Sequence, residues 1–566
     1  MYDRDIRPLQ TQRLRPLAAC VAALFALSAP AAMATNRIVS SCFDDGGLGT
    51  LRSVIAAPTT VSGDTVDMSG LDCSGFGNKI ALVSSGISVN QGSLTIKGPG
   101  SAALTIDASG LACSLTCSYR VLTHTGGGTL TLQNVGVSGG YERHTGVAAI
   151  GGCIASYNNG NVTLDHAVVS SCKAFTYATE HAYGGAVYAA GGALLKSSTV
   201  SGSSVAGSGI TAGGGVFSKL GSTLDHSTIS GNSVFSAGTQ SVFGGGVAAR
   251  GDLTIQTGTL SGNSAYGKGL AQGGGAFSAG TMTLNYATLS GNTIESVADI
   301  ALGGGARAYG GFAAAYSTVD GNQALGFAFA GGVSTYGSVT LSNSTISGNH
   351  ADNNIGGLSA FDDANYANNF VTINNSTISG NSAGYAIGGI YTNAGTVGVY
   401  NSTIVLNTAT KGKPSTEFLA PGLAIAAQQY AAITLQSTIL SDNTYGSTEL
   451  DISTAYNQVT IAGSGNLIRT EQAHVPNDTS NACPLLGPLR NNGGLTRTHA
   501  LASNSPALDS GNALVAKDYD QRGSSTVNGA FDYLRISGKE ADIGAYELQQ
   551  DDVVFTTSFE GCLPIN

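Results

Sequence analysis

Charged residues are scarce in this 566-residue chain: Asp, Glu, Lys and Arg make up 11% of it, against about a quarter of a typical soluble domain. Tryptophan is absent and there are only 12 prolines, whereas glycine occurs 81 times. The low proline content excludes a collagen-like chain and a proline-rich linker as the reason for so much glycine. The glycines are therefore expected to recur at tight corners of an ordered fold.

Basic residues are also few: the 25 Lys and Arg are scattered, and the net charge is -10. Phosphate-backbone binding needs clustered Lys and Arg, so nucleic acid is not expected as a partner. The mild acidity is compatible with extracellular solubility or with divalent cations, and it selects neither. Beyond the N-terminal segment no stretch reaches 18 continuously apolar residues, so we expect no membrane-spanning helix.

Residues 1–34 have the pattern of an export signal. Arginines precede an apolar run from Leu17 to Leu27, and Ala-Met-Ala at 32–34 follows it. This order predicts cleavage after residue 34 and a secreted, extracellular or outer-membrane-associated mature chain. The segment Leu17–Cys20 imitates a lipoprotein cleavage site, but Arg15 lies too close before it for an apolar segment to precede the cut. Lipidation is therefore disfavoured.

The mature chain would contain an even set of cysteines, which in an exported protein predicts disulfide bonds. Proximity in the sequence favours Cys42 with Cys73, Cys113 with Cys117, Cys153 with Cys172, and Cys483 with Cys562. A zinc site is the alternative, but no pair has the Cys-x2-Cys spacing that structural zinc sites prefer, and histidine is sparse nearby.

One short phrase recurs from about residue 130 onward. Its clearest copies read Ser-Thr-Ile-Ser-Gly-Asn at Ser227–Asn232, Ser344–Asn349 and Ser376–Asn381. The aliphatic position of the phrase returns at intervals of about thirty residues, at Val137, Val169, Val200, Ile229, Leu260, Leu289, Val319, Ile346, Ile378, Ile404 and Ile439. A near-constant period with unequal insertions indicates a solenoid whose corners vary in length.

Two further features occur once per period. One is a glycine pair or triplet followed by small or aliphatic residues, as in Gly213–Gly215 and Gly244–Gly246; the other is an alternating segment such as Leu253–Ile255. Alternation at period two with β-branched residues predicts strands, and three short strands fit one period. We therefore predict an all-β fold, a right-handed parallel β-helix of the pectin-lyase-like solenoid type with capped ends.

Asparagine forms a regular column, three residues after the aliphatic position of most repeats. Its members are Asn232, Asn263, Asn292, Asn322, Asn349, Asn381 and Asn407. Stacked at strand spacing, their amides would hydrogen-bond along the column, and the preceding glycine would adopt the left-handed backbone of a sharp corner. The alternative is that these asparagines are surface turn residues without mutual contact.

The sequence divides into five parts. After the signal, residues 35–125 form an N-terminal cap and the first coils, where Thr50 is expected to cap a short helix. Residues 126–470 form the repeat β-helix, residues 471–548 a C-terminal module, and residues 549–566 a tail. Caps are expected because an open β-helix exposes unpaired strand edges at both ends.

Several stretches carry a family resemblance. The segment Cys42–Ile55 and the glycine and asparagine phrases resemble bacterial surface β-helix proteins of the CSLREA type, with repeats like those of polymorphic membrane proteins. The more specific stretches resemble the choice-of-anchor Q module that closes such proteins: Pro484–Leu489, Asn492–Gly494, Thr498–Leu501, Ser505–Gly511, Asp520–Gly523 and Asp542–Glu547. The resemblance implies association with a bacterial surface. The chain departs from the pattern in its short tail, where Phe555–Glu560 is a candidate sorting signal.

Catalytic residues are hard to find in the repeats, whose acids are sparse. Two Leu-Asp-His triplets contain Asp165 with His166 and Asp225 with His226. Since adjacent residues on a strand point to opposite faces, we expect neither pair to form a catalytic dyad. No catalytic, cofactor-binding or metal-ligating residue is therefore predicted in the repeats.

Acidic residues recur in the C-terminal module, at Asp509, Asp518, Asp520, Asp542 and Glu547. They could gather around a structural calcium ion, which prefers hard oxygen ligands, or form salt bridges with Arg522. No calcium-loop spacing is present, so the salt bridges are favoured.

Two functions stay open on these observations. The favoured one is a secreted or cell-surface scaffold, adhesin-like, that contacts a cell-surface glycan or protein without catalysis. The alternative is a polysaccharide lyase or glycoside hydrolase on the same fold, which would need carboxylates or cations clustered on one outer face.

Overall fold

The alternating segments form short strands that stack, coil upon coil, into a right-handed parallel β-helix, as predicted. The computed structural model describes residues 34–113, 116–177, 179–361, 369–393, 395–410, 425–427, 432–454, 461–472, 474–512, 518–550, 552 and 562. The signal segment, apart from residue 34, and the candidate sorting signal Phe555–Glu560 lie outside these residues. Among the described helices, none is both long and apolar enough to cross a membrane.

The coils have four walls, here called Faces 1 to 4 in the order in which the chain visits them. The strands of Face 1 are Asn36–Ile38, Thr65–Asp67, Leu94–Lys97, Thr129–Gln133, Asn161–Asp165, Ala193–Lys196, Ser222–Asp225, Leu253–Gln256, Met282–Asn285, Phe312–Ala315, Val339–Ser342, Phe370–Asn374, Thr396–Tyr400, Ala432–Gln436 and Ile461–Ser464. The strands of Face 2 are Lys79–Ala81, Thr105–Asp107, Gly136–Ser138, Val168–Ser170, Thr199–Ser201, Thr228–Ser230, Thr259–Ser261, Thr288–Ser290, Thr318–Asp320, Thr345–Ser347, Thr377–Ser379, Thr403–Val405, Ile439–Ser441 and Leu467–Ile468.

Face 3 is built from strands of irregular length, between two and ten residues. They are Cys117–Tyr119, Tyr141–His144, Ala149–Ile150, Lys173–Thr176, Ala182–Tyr183, Ser204–Gly207, Thr211–Ala212, Ser233–Ser236, Val242–Phe243, Ser264–Gly267, Ala271–Gln272, Thr293–Leu302, Gln323–Phe329, His350–Ala351, Ser382–Ala383, Thr408–Ala409, Thr444–Tyr445 and Thr448–Glu449. The strands of Face 4 are Ile87–Val89, Leu122–His124, Ile154–Ser156, Val187–Ala189, Val216–Ser218, Val247–Ala249, Ala276–Ser278, Ala306–Ala308, Val333–Thr335, Leu358–Ala360, Ile390–Thr392, Ile425–Ala427, Ile452–Thr454 and Glu471–Gln472. The prediction of three strands per coil missed Face 3, because its small residues do not alternate clearly.

The inward side chains form one continuous core along the helix axis. In register, Leu224 lies beside Ile255 and Ile255 beside Leu284, and all three are fully buried. The threonines between them, such as Thr254, point outward and are half-buried. Each coil therefore buries its aliphatic residues against the next coil, which supplies most of the driving force for stacking.

The asparagine column is a buried hydrogen-bonded ladder, so the surface-turn alternative is wrong. Asn263 donates from its backbone N–H and its Nδ2 to Oδ1 of Asn292, each at 3.0 Å, and the other members repeat this pattern. The ladder continues to Asn443, which the sequence analysis did not include, and ends on the carboxylate of Asp451. The residue before each asparagine takes the left-handed backbone: it is glycine in the first six members, as at Gly231 with φ 61°, but Leu406 and Asp442 before the last two.

Close packing between coils explains the glycine triplets. A Cβ atom placed on Gly245 would lie 2.1 Å from the carbonyl oxygen of Gly274 in the next coil. Any side chain at this position would push the coils apart, so only glycine fits. We call this turn between Faces 3 and 4 the glycine corner.

Short helices and the C-terminal module complete the structure. The predicted helix is present as Leu51–Ala56, and Thr50 caps it by accepting a hydrogen bond from the Ser53 N–H. A 3₁₀ turn spans Ser74–Phe76, and a single helical turn spans Ser525–Asn528. All four disulfides predicted from sequence proximity are formed: Cys42–Cys73, Cys113–Cys117, Cys153–Cys172 and Cys483–Cys562.

The C-terminal module packs along the side of the solenoid, on Face 2. Gln521 donates to the hydroxyl of Thr345 and accepts from that of Thr377, which lies one coil further along. Outward threonines of Face 2 are buried under the module, whereas Thr228 and Thr259 in earlier coils stay half-exposed. The module thus covers a lateral surface of several coils.

Candidate functional site

The glycine corner bends the chain so that outward side chains of Face 3 and Face 4 meet in a concave groove along the helix axis. The ring of Tyr183, just before the corner, lies 4.6 Å from that of Phe217, just after it. Two coils further on, the rings of Phe243 and Phe277 repeat this contact at 4.7 Å. We call this surface the aromatic groove.

The floor of the groove is the outward, central position of each Face 4 strand. Its residues are stacked in register and almost completely buried: Ala155, Tyr188, Phe217, Ala248, Phe277, Arg307, Ser334, Ser359 and Tyr391. Parallel stacking of rings is pronounced here, since Tyr188 and Phe217 lie 5.7 Å apart with an interplanar angle of 6°. Such stacks form because a parallel sheet superposes equivalent side chains.

The rim of the groove is the residue that directly follows each Face 4 strand. Its backbone N–H donates to the carbonyl oxygen of the last Face 4 strand residue in the previous coil, as Arg250 does to Ser218 and Tyr309 to Ser278. In chain order the rim residues are Tyr157, Ala190, Lys219, Arg250, Ala279, Tyr309, Tyr336 and Phe361. The rim is therefore aromatic at both ends and basic in the middle.

Aromatic contacts continue over the coils beyond the basic pair. The rings of Tyr309 and Tyr336 lie 5.4 Å apart, and that of Phe361 lies 6.4 Å from Tyr336. Tyr309 and Phe361 are 39% and 37% exposed, so these rings present area to solvent rather than only packing against the protein. A row of half-exposed rings, one per coil, is a stacking platform for a long ligand.

A slot opens in the groove where the floor residue is alanine. At Ala248 the floor lacks the ring that Phe217 and Phe277 provide in the coils on either side, and a cavity of about 250 Å³ remains. Its lining also includes Tyr183, Phe243, Arg250 and Tyr309. We call this cavity the Ala248 slot; it has apolar ring walls and a cationic side chain at its mouth.

The electrostatics of the groove are positive. Arg250 and Lys219 are both exposed, and neither forms an ion pair with any described residue. Burial raises the pKa of the Tyr183 hydroxyl, so this ring stays neutral. Of the described residues that line the slot, none is Asp or Glu.

Polar groups also lie within the groove. Arg307 is buried on the floor, donates to the hydroxyl of Ser334 at 2.6 Å, and stacks over the ring of Tyr336 at 3.8 Å. Gln272 lies in register with Phe243 and is 1% exposed, and its Oε1 has no hydrogen-bond partner among the described residues. A buried acceptor of this kind costs free energy unless a ligand or water satisfies it.

In each of the two Asp-His pairs the side chains contact each other, contrary to the expectation from strand geometry. His166 bonds to Asp165, and His226 to Asp225, each through Nδ1 and Oδ1 at 2.7 Å. The expectation that these neighbours point to opposite faces is wrong, because each histidine has a left-handed backbone at the corner after Face 1, with φ 50° and 49°. Both histidines are about 60% exposed and far around the coil from the groove, so they do not contribute to it.

The C-terminal acids do not converge on one point. Asp520 forms a buried ion pair with Arg522 at 2.8 Å, as the salt-bridge interpretation predicted, and Asp552 adds a second carboxylate from the tail. Asp509 and Asp542 instead accept backbone N–H groups. Among the described residues, no group of three or more His, Cys, Asp or Glu side chains is arranged to hold a metal ion.

Two further C-terminal acids complete this picture. Glu547 accepts the backbone N–H groups of Ser537 and Asp542, whereas Asp518 offers its carbonyl oxygen to the N–H of Arg535. Burial and the nearby Asp542 carboxylate raise the pKa of Glu547 to about 8, and burial raises that of Asp542 to about 6. These acids thus brace the module through backbone contacts.

The groove was not predicted from the sequence. A signal was present, because an aromatic residue follows two or three positions after the last glycine of the corner at Tyr188, Phe217, Phe277 and Tyr391. It was overlooked because these residues alternate with Ala, Arg and Ser at the same position, so no single residue type repeats.

Comparisons with known proteins add no family to this description. No protein-family model matches the chain, and neither a curated protein nor a solved structure is significantly similar to it.

Proposed function

We propose that the protein is a secreted or cell-surface scaffold of the bacterial surface β-helix type and that it binds glycan chains in the aromatic groove without cleaving them. The observation that carries this proposal is the row of stacked, half-exposed rings along one side of a rigid rod. Sugar rings bind to aromatic faces through their apolar C–H surfaces, and a solenoid offers one such face per coil.

Other features support the surface location. Four disulfides fit an oxidising compartment, and residues 1–34 have the pattern of an export signal. The C-terminal module resembles choice-of-anchor Q by its motifs. Fractionation of the host cell, with N-terminal sequencing of the chain, tests this part: we expect an extracellular or outer-membrane fraction beginning at residue 35, and an intact cytoplasmic chain would contradict it.

Binding to a panel of soluble polysaccharides tests the glycan proposal with the full mature chain. The double variant Tyr309→Ala/Tyr336→Ala removes one stacked pair from the rim and should weaken binding about 10-fold. The matched control is Phe235→Ala/Tyr266→Ala, because this pair is stacked at the same 5.4 Å on Face 3, outside the groove. Equal loss in both variants, or no binding to any polysaccharide, would contradict the proposal.

The same panel tests the absence of catalysis. We expect no new reducing ends and no unsaturated products after prolonged incubation, since the described residues lining the slot lack carboxylates. Release of either product, abolished by substitution of a single Asp, would show that the protein is an enzyme.

A further inference from the structure

We propose that the ligand of the aromatic groove is an acidic polysaccharide, with one sugar ring in the Ala248 slot and its anionic groups beside Lys219 and Arg250. This inference rests on the proposed function and adds the chemical class of the glycan. Three independent observations support it: the shape of the slot, the unpaired charge at the rim, and a buried polar acceptor in the groove.

The slot has the shape of a binding site for one ring. Phe217 and Phe277 occupy the floor one coil before and one coil after Ala248. Because alanine has no ring, the gap between these two phenylalanines has the height of one aromatic ring. Tyr183 and Phe243 close it from the Face 3 side. A sugar ring in this gap would complete the aromatic stack, contacting a ring above and a ring below.

Two cations lie in consecutive coils on the rim of the groove, and one of them, Arg250, also lines the slot. Lys219 and Arg250 are equivalent rim positions in consecutive coils, which places their backbones about 4.8 Å apart. The acid nearest in sequence, Asp252, is engaged elsewhere, because its Oδ1 accepts the N–H of Thr281 at 2.8 Å. Like charges at this spacing repel each other, so an anion that binds between them is favoured.

Such a pair is informative in this protein because the rest of the chain is acidic. With a net charge of -10, the chain as a whole repels polyanions. Non-specific attraction therefore cannot account for polyanion binding, and any binding must come from a local site. Carboxylate and sulfate groups share the chemistry that Lys219 and Arg250 recognise, and the experiment below separates them.

The groove also offers a partner for a sugar hydroxyl. Gln272 stands one coil beyond Phe243, and its buried Oε1 can accept a hydroxyl proton. This acceptor favours a hydroxylated ligand over an acidic peptide.

The test compares polysaccharides with and without charge on one backbone. Isothermal titration of the full mature chain uses hydroxyethyl cellulose against carboxymethyl cellulose, and dextran against dextran sulfate. We expect the charged member of at least one pair to bind 10-fold or more tightly than its neutral partner. Polyglutamate, which has carboxylates but no sugar rings, should bind at least 10-fold more weakly than the preferred polysaccharide.

Three variants assign the effect to the site. Lys219→Met/Arg250→Met should abolish the preference for the charged member, whereas Lys268→Met/Lys173→Met, a matched charge change at exposed Face 3 positions, should preserve it. Ala248→Phe fills the slot, so it should weaken binding at least 10-fold while its far-UV circular dichroism stays that of the unmodified chain. A misfolded Ala248→Phe protein would leave the charge variants as the deciding measurement.

The outcomes separate this inference from the proposed function. Neutral and charged members that bind equally, a preference that survives Lys219→Met/Arg250→Met, or polyglutamate binding as tightly as the polysaccharides would each overturn the inference alone. Failure of all polysaccharides to bind would overturn the proposed function and the inference with it.

Discussion

At the residue scale, the asparagine ladder shows how a single side chain connects three coils. Asn292 accepts from Asn263 through Oδ1, and its Nδ2 donates both to the Leu260 carbonyl and to Asn322. The side chain is fully buried, so water cannot reach it and its hydrogen bonds must come from the neighbouring coils. The ladder therefore sets the register of the corner between Faces 2 and 3 as well as its stability.

Asn292→Ala should lower the free energy of unfolding by about 1–3 kcal/mol, because it leaves buried donors of Asn263 without acceptors. The control is Asn285→Ala in the same coil, where the asparagine is half-buried at the end of a Face 1 strand. Guanidinium unfolding followed by circular dichroism measures both. A midpoint shift no larger than that of the control would show that the ladder is energetically unimportant.

At the element scale, the C-terminal module combines buried charges with a docking surface. Arg522 lies between the rings of Tyr533 and Tyr546, at 3.8 and 4.0 Å, and pairs with Asp520 beneath them. Nearby, Glu547 and Asp542 are buried carboxyls whose pKa values lie above those of exposed acids. In the folded module both therefore hold protons at a pH where the unfolded chain has lost them.

The stability of the module should fall as the pH rises from about 4 to 8. Between these values Glu547 and Asp542 bind more protons in the folded state than in the unfolded state, so their contribution to the free energy of unfolding decreases with pH. Buried His499, whose pKa burial lowers to about 4, contributes with the opposite sign, but its shift is smaller than those of the two acids together. We expect a loss of about 1–3 kcal/mol, which thermal unfolding at pH 5 and pH 8 would detect. Asp451 in the solenoid, whose pKa burial raises to about 7, adds to the same trend.

Glu547→Gln should flatten this pH dependence, and exposed Glu540→Gln should leave it unchanged. A melting temperature of the unmodified chain that instead rises between pH 5 and pH 8 would contradict this prediction, because it would mean that the two carboxyls are ionised in the folded module.

At the scale of the whole molecule, each coil contacts mainly its two neighbours. The number of coils can therefore change without altering the structure of the remaining coils. Thr259 and Thr288 are in register, and deletion of residues 259–287 removes one complete coil. The shortened protein should fold, because Asn232 then reaches Asn292 as it now reaches Asn263. Circular dichroism and the thermal midpoint should stay close to those of the full chain.

Deletion of the half coil 259–272 is the control for this experiment. It joins a Face 1 strand to a Face 4 strand and breaks the stack on every wall, so we expect aggregation or loss of the β signal. Unfolding of the whole-coil deletion, or tolerance of the half-coil deletion, would contradict the nearest-neighbour description.

The β-helix fold could be predicted from the sequence alone, because stacking requires similar residues at the same position in every coil. The Ile, Val and Leu positions, the glycine corner and the asparagine ladder meet this demand, and their periods appear directly in the chain. Pairing each cysteine with its nearest neighbour in the sequence also predicted the disulfides correctly. The reason is that the two cysteines of each of the first three pairs lie within about one repeat period of each other.

Features that depend on outward-pointing side chains could be identified only in the tertiary structure. Outside the core no residue type must repeat, so Phe217, Ala248, Arg250 and Tyr309 show no common period, yet the concave glycine corner brings them together. The Asp-His contacts arose from a left-handed backbone at non-glycine residues, which alternation cannot predict. Docking of Gln521 on Thr345 and Thr377 depends on contacts between residues more than a hundred positions apart, and only the folded chain decides those.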